Sequence, residues 1–288
     1  MAETGIVPRN EHFAFDTSLP AHWHSGDPGI THFYDALSLT FPEGERFFVD
    51  SVRAFADRIT DPKLKADVAA FMAQESIHSR EHAHYNALLG QRGIPVEKID
   101  KLMADMIRFL QKYLPAKGQL AATCAYEHYT ALFAEVALSD SGALDGAHPF
   151  YRDLWRWHAM EEQEHKAVAF DVYTQIAPGL GGYLRRVATM LIATADFMIT
   201  IPILEAWLMW HHGEFWRPRS WGRAFWHLWI SPGVWRKVMG GVGAYLMPGF
   251  HPSKRRLAPS VLGWRERYRA APLRKPEEPT PVFAAEGE

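Results

Sequence analysis

Cysteine is almost absent from this chain: Cys124 is the only one. That excludes an internal disulfide framework and a cysteine-ligated zinc or iron–sulfur site. Net charge is nearly absent too, with 31 Lys/Arg against 33 Asp/Glu, so nothing global favours nucleic acid as a partner. Residues 1–30 hold no basic segment followed by an apolar one; no secretory signal is visible, and the expected compartment is the cytoplasm. The most apolar stretch, 187–210, is interrupted by Asp196, Pro202 and Glu205. No charge-free run therefore reaches the roughly 18–20 residues of a simple membrane span. Alternation with period two is missing over any useful length, which leaves no candidate sheet.

What is present is apolar residue at helical spacing. Hydrophobic residues make up 48% of the chain, enough for a packed core rather than disorder. The spacing predicts an all-α fold, with helices over about 33–58, 62–89, 95–114, 117–139 and 149–176. In the second of these, Leu64, Val68, Phe71, Glu75, His78, His82, Tyr85 and Leu89 advance by alternating steps of four and three, the seam of a bundle helix. The fifth repeats the pattern through Trp155, His158, Glu162, His165, Ala169, Val172 and Ile176. Phe41, Glu45, Phe48, Val52, Phe55 and Ile59 form a stripe in the first helix, with Glu43 off it. Leu120, Cys124, Glu127, Ala131, Ala134 and Leu138 form one in the fourth.

Carboxylates and imidazoles on inward seams need a reason, because an unpaired charge in a core costs several kcal/mol. In chain order the inward polar groups are Glu45, Glu75-x-x-His78, Glu127 and Glu162-x-x-His165. The i, i+3 spacing sets carboxylate and imidazole one turn apart on one face, within reach of one metal centre. Four carboxylates and two imidazoles meet the ligand requirement of a carboxylate-bridged pair of iron or manganese ions. His82 and His158 lie one turn further along the same seams; each is an extra ligand or a group that orients one. Glu161 and Glu164 flank the seam and are expected to be solvated or paired, His128 and Tyr126 to be structural, and Asp171 to pair on the outside.

This order and spacing resemble the ferritin-like superfamily of di-iron carboxylate proteins over about 33–177. More narrowly, the runs FPEGERFF (41–48), AQESIH (73–78), WHAMEEQEHK (157–166) and MPGFHP (247–252) resemble a bacterial family of predicted metal-dependent hydrolases. The resemblance implies Glu45, Glu75, His78, Glu127, Glu162 and His165 as metal ligands. It also implies a four-helix bundle with a long crossover, for which residues 90–116 are available.

The expected organisation is an N-terminal segment (1–32), a dimetal bundle (33–180), a helical Trp/Arg-rich extension (181–271) and a disordered tail (272–288). Residues 183–269 hold 13 Lys/Arg, 4 Asp/Glu and 8 of the 11 tryptophans. Tryptophan interleaved with cations beside an apolar helix suits the headgroup zone of a bilayer at the inner face of the membrane; the alternative is a cap over the bundle. Two iron ions are the expected cofactor, with manganese or a mixed iron–manganese pair as alternatives. The leading expectation is an O2-dependent oxidase or oxygenase acting on a small apolar or lipid-like substrate, with an electron donor in the oxygenase case. The alternatives are hydrolysis by a metal-bridging water, non-catalytic iron storage, and a membrane adaptor stapled by metal. Nucleic acid is not expected as a partner.

Overall fold

The computed structural model describes residues 5–270, which fold as helices with no strand among them. The expected tail from Pro272 lies outside the described residues. Four long helices build the core: α1 (Pro28–Arg53), α2 (Pro62–Gln91), α4 (Ala116–Leu138) and α5 (Pro149–His165). α1 packs beside α2, and α4 beside α5. α3 (Val96–Tyr113) crosses between the pairs and lies against α1 and α2.

The helix starts are written in local chemistry. Asp27 caps α1 by accepting from the amides of Gly29 and Ile30, and Pro28 occupies the first turn, where no amide donor is required. Asp61 and Pro62 repeat the device at α2. These caps start α1 five residues before the expected Phe33, and it ends at Arg53 rather than Arg58. Phe55 and Ile59 nevertheless stay buried, carried by a 3-10 turn over Ala56–Arg58. The fifth helix, expected to be continuous to Ile176, breaks directly after His165 and resumes as α6 (Val168–Ile176). Neither glycine nor proline marks that break. Ala169, Val172 and Ile176 remain buried across it.

Pro42 lies inside α1. Lacking an N–H, it cannot bond the carbonyl of Ser38 four residues earlier; Asn86 of α2 donates its Nδ2 there instead, at 3.0 Å. A proline thus ties α1 to α2 one turn from the site described below.

α7 (Gly179–His211) runs unbroken through Asp196, Pro202 and Glu205 and packs on α1 and α4. By length and composition alone it is long and apolar enough to cross a membrane, although Asp196 and Glu205 still keep any charge-free run short. α8 (Pro218–Phe225) crosses α1 so closely that a Cβ at Gly29 would sit 2.6 Å from the Ser220 carbonyl. α9 (Val234–Tyr245) lies on α4, and α10 (Pro259–Ala270) touches α4 and α5. Asp171 pairs with His251 at 2.7 Å. Of the eight tryptophans in this third, Trp235 is buried against Phe33 and Phe133, whereas Trp210, Trp216 and Trp226 are exposed.

Candidate metal centre

Every seam position named for α2, α4 and α5–α6 is buried, and Glu45 is buried on α1 while Glu43 is partly exposed and paired with Arg46. The four helices therefore bring Glu45, Glu75, His78, Glu127, Glu162 and His165 into one enclosed site, each 3% exposed or less. His165 Nε2 lies 2.9 Å from Glu75 Oε1, 3.4 Å from Glu162 Oε2 and 3.5 Å from Glu127 Oε2. His78 Nδ1 lies 3.7 Å from Glu162 Oε1.

His165 is within ion-pair distance of three carboxylates, but most of the inward atoms lack a hydrogen bond of good geometry. Glu45 Oε2, both oxygens of Glu75 and of Glu127, His78 Nδ1 and His165 Nε2 are buried and have no hydrogen-bond partner. Orphaned polar atoms at this density are costly in a core. They fit a metal well: Glu75, Glu127 and His165 form one triad of ligand atoms within 4.8 Å of each other, and Glu75, His78 and Glu162 form another. Glu75 belongs to both, as a carboxylate between two ions would.

The outer nitrogens of both imidazoles are anchored. His78 Nε2 donates to Glu161 Oε2 at 3.0 Å, and His165 Nδ1 donates to Gln74 Oε1 at 2.9 Å. Gln74 Nε2 donates to Glu164 Oε2 at 3.0 Å. Arg9, reaching in from the N-terminal segment, holds both carboxylates, with Nη1 3.1 Å from Glu164 Oε2 and its backbone N–H 3.1 Å from Glu161 Oε1. Such outer contacts set the tautomer and aim of a ligating imidazole. Glu161 is thus paired, as one of the two expectations had it, but it is fully buried rather than solvated. Arg9 was missed altogether, because no local spacing links residue 9 to residue 161.

His82 and His158 separate in role. The Ser38 hydroxyl donates to Asn86 Oδ1 at 2.8 Å and so accepts from His82 Nδ1 at 2.9 Å. His82 Nε2 then accepts from His158 Nδ1 at 2.8 Å. His158 Nε2 in turn donates to Glu162 Oε1 at 3.0 Å and lies 3.9 Å from Glu45 Oε1. His158 forms a third triad with Glu45 and His78, whereas both ring nitrogens of His82 are spent on Ser38 and His158. Thr130 Oγ1 donates to Glu162.

Burial is the first cause of the electrostatics here. It raises the carboxyls of Glu45 and Glu127 well above their ordinary value, and the neighbouring carboxylates push the same way. Glu75 is also raised by burial, against the pull of His165. Burial works to raise Glu162 as well, yet His165 and His158 hold it well below the ordinary range. For His165, burial opposes the charge but Glu162 and Glu75 outweigh it, so it is raised; burial lowers His78 and His82. Glu161 is pushed by burial up to about 8, with Arg9 opposing.

Two apolar pockets share Phe41, Thr130 and Phe197 in their walls. One, between α1, α3 and α7, ends on Glu45; the other ends on His158 and Glu162. A polar cleft with Arg46, Asp50, Arg53 and Arg80 has Glu75 in its lining. Asp196 faces the first pocket, where it accepts from Tyr126 and Thr200 at 2.9 and 2.8 Å.

Residues 7–256 match the family described as "Predicted metal-dependent hydrolase". No curated protein and no solved structure matches the chain.

Proposed function

Since this chain belongs to the predicted metal-dependent hydrolase family, we propose that it is a dinuclear metal hydrolase acting on an apolar substrate. The observation that carries this reading is the convergence of orphaned carboxylate and imidazole atoms on two triads that share Glu75. Glu45, Glu75, His78, Glu127, Glu162 and His165 would hold the two ions. Carboxylate oxygens in the majority, with two imidazoles, suit iron(II) or manganese(II). The crossover helix between two helix pairs, with a Glu-x-x-His on α2 and another on α5, supports reading the bundle as ferritin-like.

When bound, the ions supply Lewis-acid activation of water at neutral pH. The chain's own residues do the rest. Phe41, Phe48, Met106, Phe197 and Ile201 line an apolar wall that binds substrate and keeps bulk water from Glu45. His158, aimed by the Ser38–His82 relay and bonded through Nε2 to Glu162, is the group placed to pass a proton to the leaving group in hydrolysis. Glu161 and Gln74 keep His78 and His165 turned inward.

A second reading, O2-dependent oxidation of an apolar substrate, is favoured by one observation: a carboxylate-rich ligand set enclosed by apolar walls. Chromogenic acyl esters of graded chain length, assayed under argon and in air beside an oxygen electrode, separate the two. Hydrolysis predicts ester turnover by metal-loaded protein under argon; oxygen uptake by the reduced iron form without ester turnover would replace it with the second reading. In the hydrolytic case His158→Gln should lower turnover about 10²–10⁴-fold while the metal content stays that of the wild type. Loss of metal in His158→Gln would make His158 a ligand instead.

The substrate's route supports a membrane-surface position. Asp196 and Glu205 turn inward on α7, so its outer face reads Leu184, Leu191, Ile192, Ile199, Ile203 and Trp210, all more than half exposed. From Leu184 to Trp210 is 26 steps, or about 39 Å of helix, and Phe197 and Ile201 on the same helix line the pocket. The chain continues into exposed Trp216, Arg217, Arg219, Arg223 and Trp226. We propose that α7 lies along an anionic bilayer, with Arg219 on headgroups at about 1 kcal/mol and Arg217 and Arg223, which pair with Glu214 and Asp27, adding less. Ile192, Ile199 and Ile203 replaced together by Ser should abolish most binding to anionic liposomes, measured by co-sedimentation, without changing the helical spectrum. Wild-type binding should weaken with salt but persist. Wild-type protein that ignores such liposomes at low salt removes this reading.

A further inference from the structure

A second group of metal-ligating side chains stands at the start of α1, far from the bundle centre: His32 and Glu45 are 13 residues apart, about 20 Å along the helix. α7 ends at His211; Gly213, with φ of +72°, reverses the chain, and Glu214 N–H bonds back to the Met209 carbonyl at 2.7 Å. This stop sets Glu214 against α1. His22 Nε2 and His32 Nε2 lie 3.1 and 3.5 Å from Glu214 Oε2, and His212 Nδ1 lies 2.9 Å from His32 Nε2.

Two features mark this as a built site. Glu214 is 4% exposed, Arg217 pairs with its Oε1 at 3.2 Å, and the Oε2 aimed at the imidazoles has no hydrogen-bond partner. His32 is fully buried and donates Nδ1–H to Asp35 Oδ2 at 2.8 Å. Asp35 is itself fixed through Oδ1 by Trp23 Nε1 at 3.1 Å and by the Tyr85 hydroxyl. A carboxylate behind an imidazole is how a ligating nitrogen is aimed and made more basic. Ligands at ~2.0–2.1 Å around a tetrahedral ion stand about 3.3 Å apart, close to the spacing between Glu214 and the two imidazoles.

We infer that His22, His32 and Glu214, with His212 beside them, form a separate binding site for a divalent cation of zinc's class that fastens the end of α7 to the start of α1. Nitrogen donors in the majority select zinc over magnesium or calcium. Nothing in this inference depends on the chemistry proposed for the bundle.

The test is zinc stoichiometry by equilibrium dialysis of chelator-stripped full-length protein. Wild type should hold one more Zn²⁺ per chain than His22→Ala, whose loop position leaves the core intact. Glu214→Gln, which preserves side-chain volume, should show the same loss. Glu75→Ala should keep the His22-dependent ion, which separates this site from the bundle centre. Equal zinc content in wild type, His22→Ala and Glu214→Gln, each with wild-type helical content, overturns the inference.

Discussion

Glu75→Ala protein, reconstituted with iron(II) or manganese(II), should hold one or two fewer ions per chain than wild type, whereas Glu43→Ala should lose none. The two residues share a charge and both line openings toward the core, yet their surroundings differ completely. Glu75 is fully buried, belongs to two triads, and has both oxygens orphaned. Glu43 is paired with Arg46 at the mouth of the apolar pocket. Removing a carboxylate common to both triads should weaken both; removing a carboxylate paired with an arginine nearer the surface should change stability by ~1 kcal/mol or less. Metal analysis after anaerobic reconstitution reads the difference directly. Metal lost from Glu43→Ala and kept by Glu75→Ala would mean that the centre lies elsewhere.

Metal-free protein should melt roughly 10 °C or more below metal-loaded protein, and the gap should widen with pH. An ion at a thousandfold excess over its dissociation constant stabilises the fold by about 4 kcal/mol, and each kcal/mol moves the midpoint of a chain this long by about 2–4 °C. The pH dependence follows from the direction of the shifts. Glu45, Glu75 and Glu127 hold their protons more tightly folded than unfolded. Their contribution is full below the ordinary carboxyl range and is lost as pH rises through the elevated folded values.

Other groups change little between about pH 6.5 and 8.5 or act the same way. Glu162, held low, loses its contribution only as pH falls far below that window, and the lowered His78 and His82 matter only below their ordinary value. His165, raised, contributes below its ordinary value and loses that contribution as pH rises. The metal-free bundle should therefore weaken as pH rises through this window. Bound metal displaces the same protons, so its affinity climbs over the same interval. Scanning calorimetry at both ends of the window, with and without metal, checks both signs. Equal midpoints for metal-free and metal-loaded protein would count against a shared dimetal site.

The seams were legible because burial in a bundle obeys a period. Glu45 inside and Glu43 outside, or Glu75 and His78 on one face, follow from steps of three and four along a helix. The groups that hold those side chains in place obey no such period. Glu161 sits beside Glu162 in sequence and reads as flanking; it is buried because Arg9 and His78 meet it from two other parts of the chain. His82 and His158 read alike, and only the hydroxyl of Ser38, whose carbonyl Pro42 leaves for Asn86, directs one outward and the other inward.

α7 shows the same division. Along the chain, Asp196 and Glu205 interrupt an apolar run; in three dimensions Asp196 bonds Tyr126 and Glu205 is buried, and the outer face carries a stripe of exposed apolar residues from Leu184 to Trp210. By itself the sequence determined the helical class, the inward carboxylates and the Glu-x-x-His pairs, since each rests on local periodicity and on the cost of burying charge. Tertiary structure alone decided that Arg9 anchors the centre, that His158 rather than His82 faces it, and that His22, His32, His212 and Glu214 come together. Those are contacts between residues up to 192 positions apart, and no repeat along a single helix encodes which distant side chain will satisfy a buried polar atom.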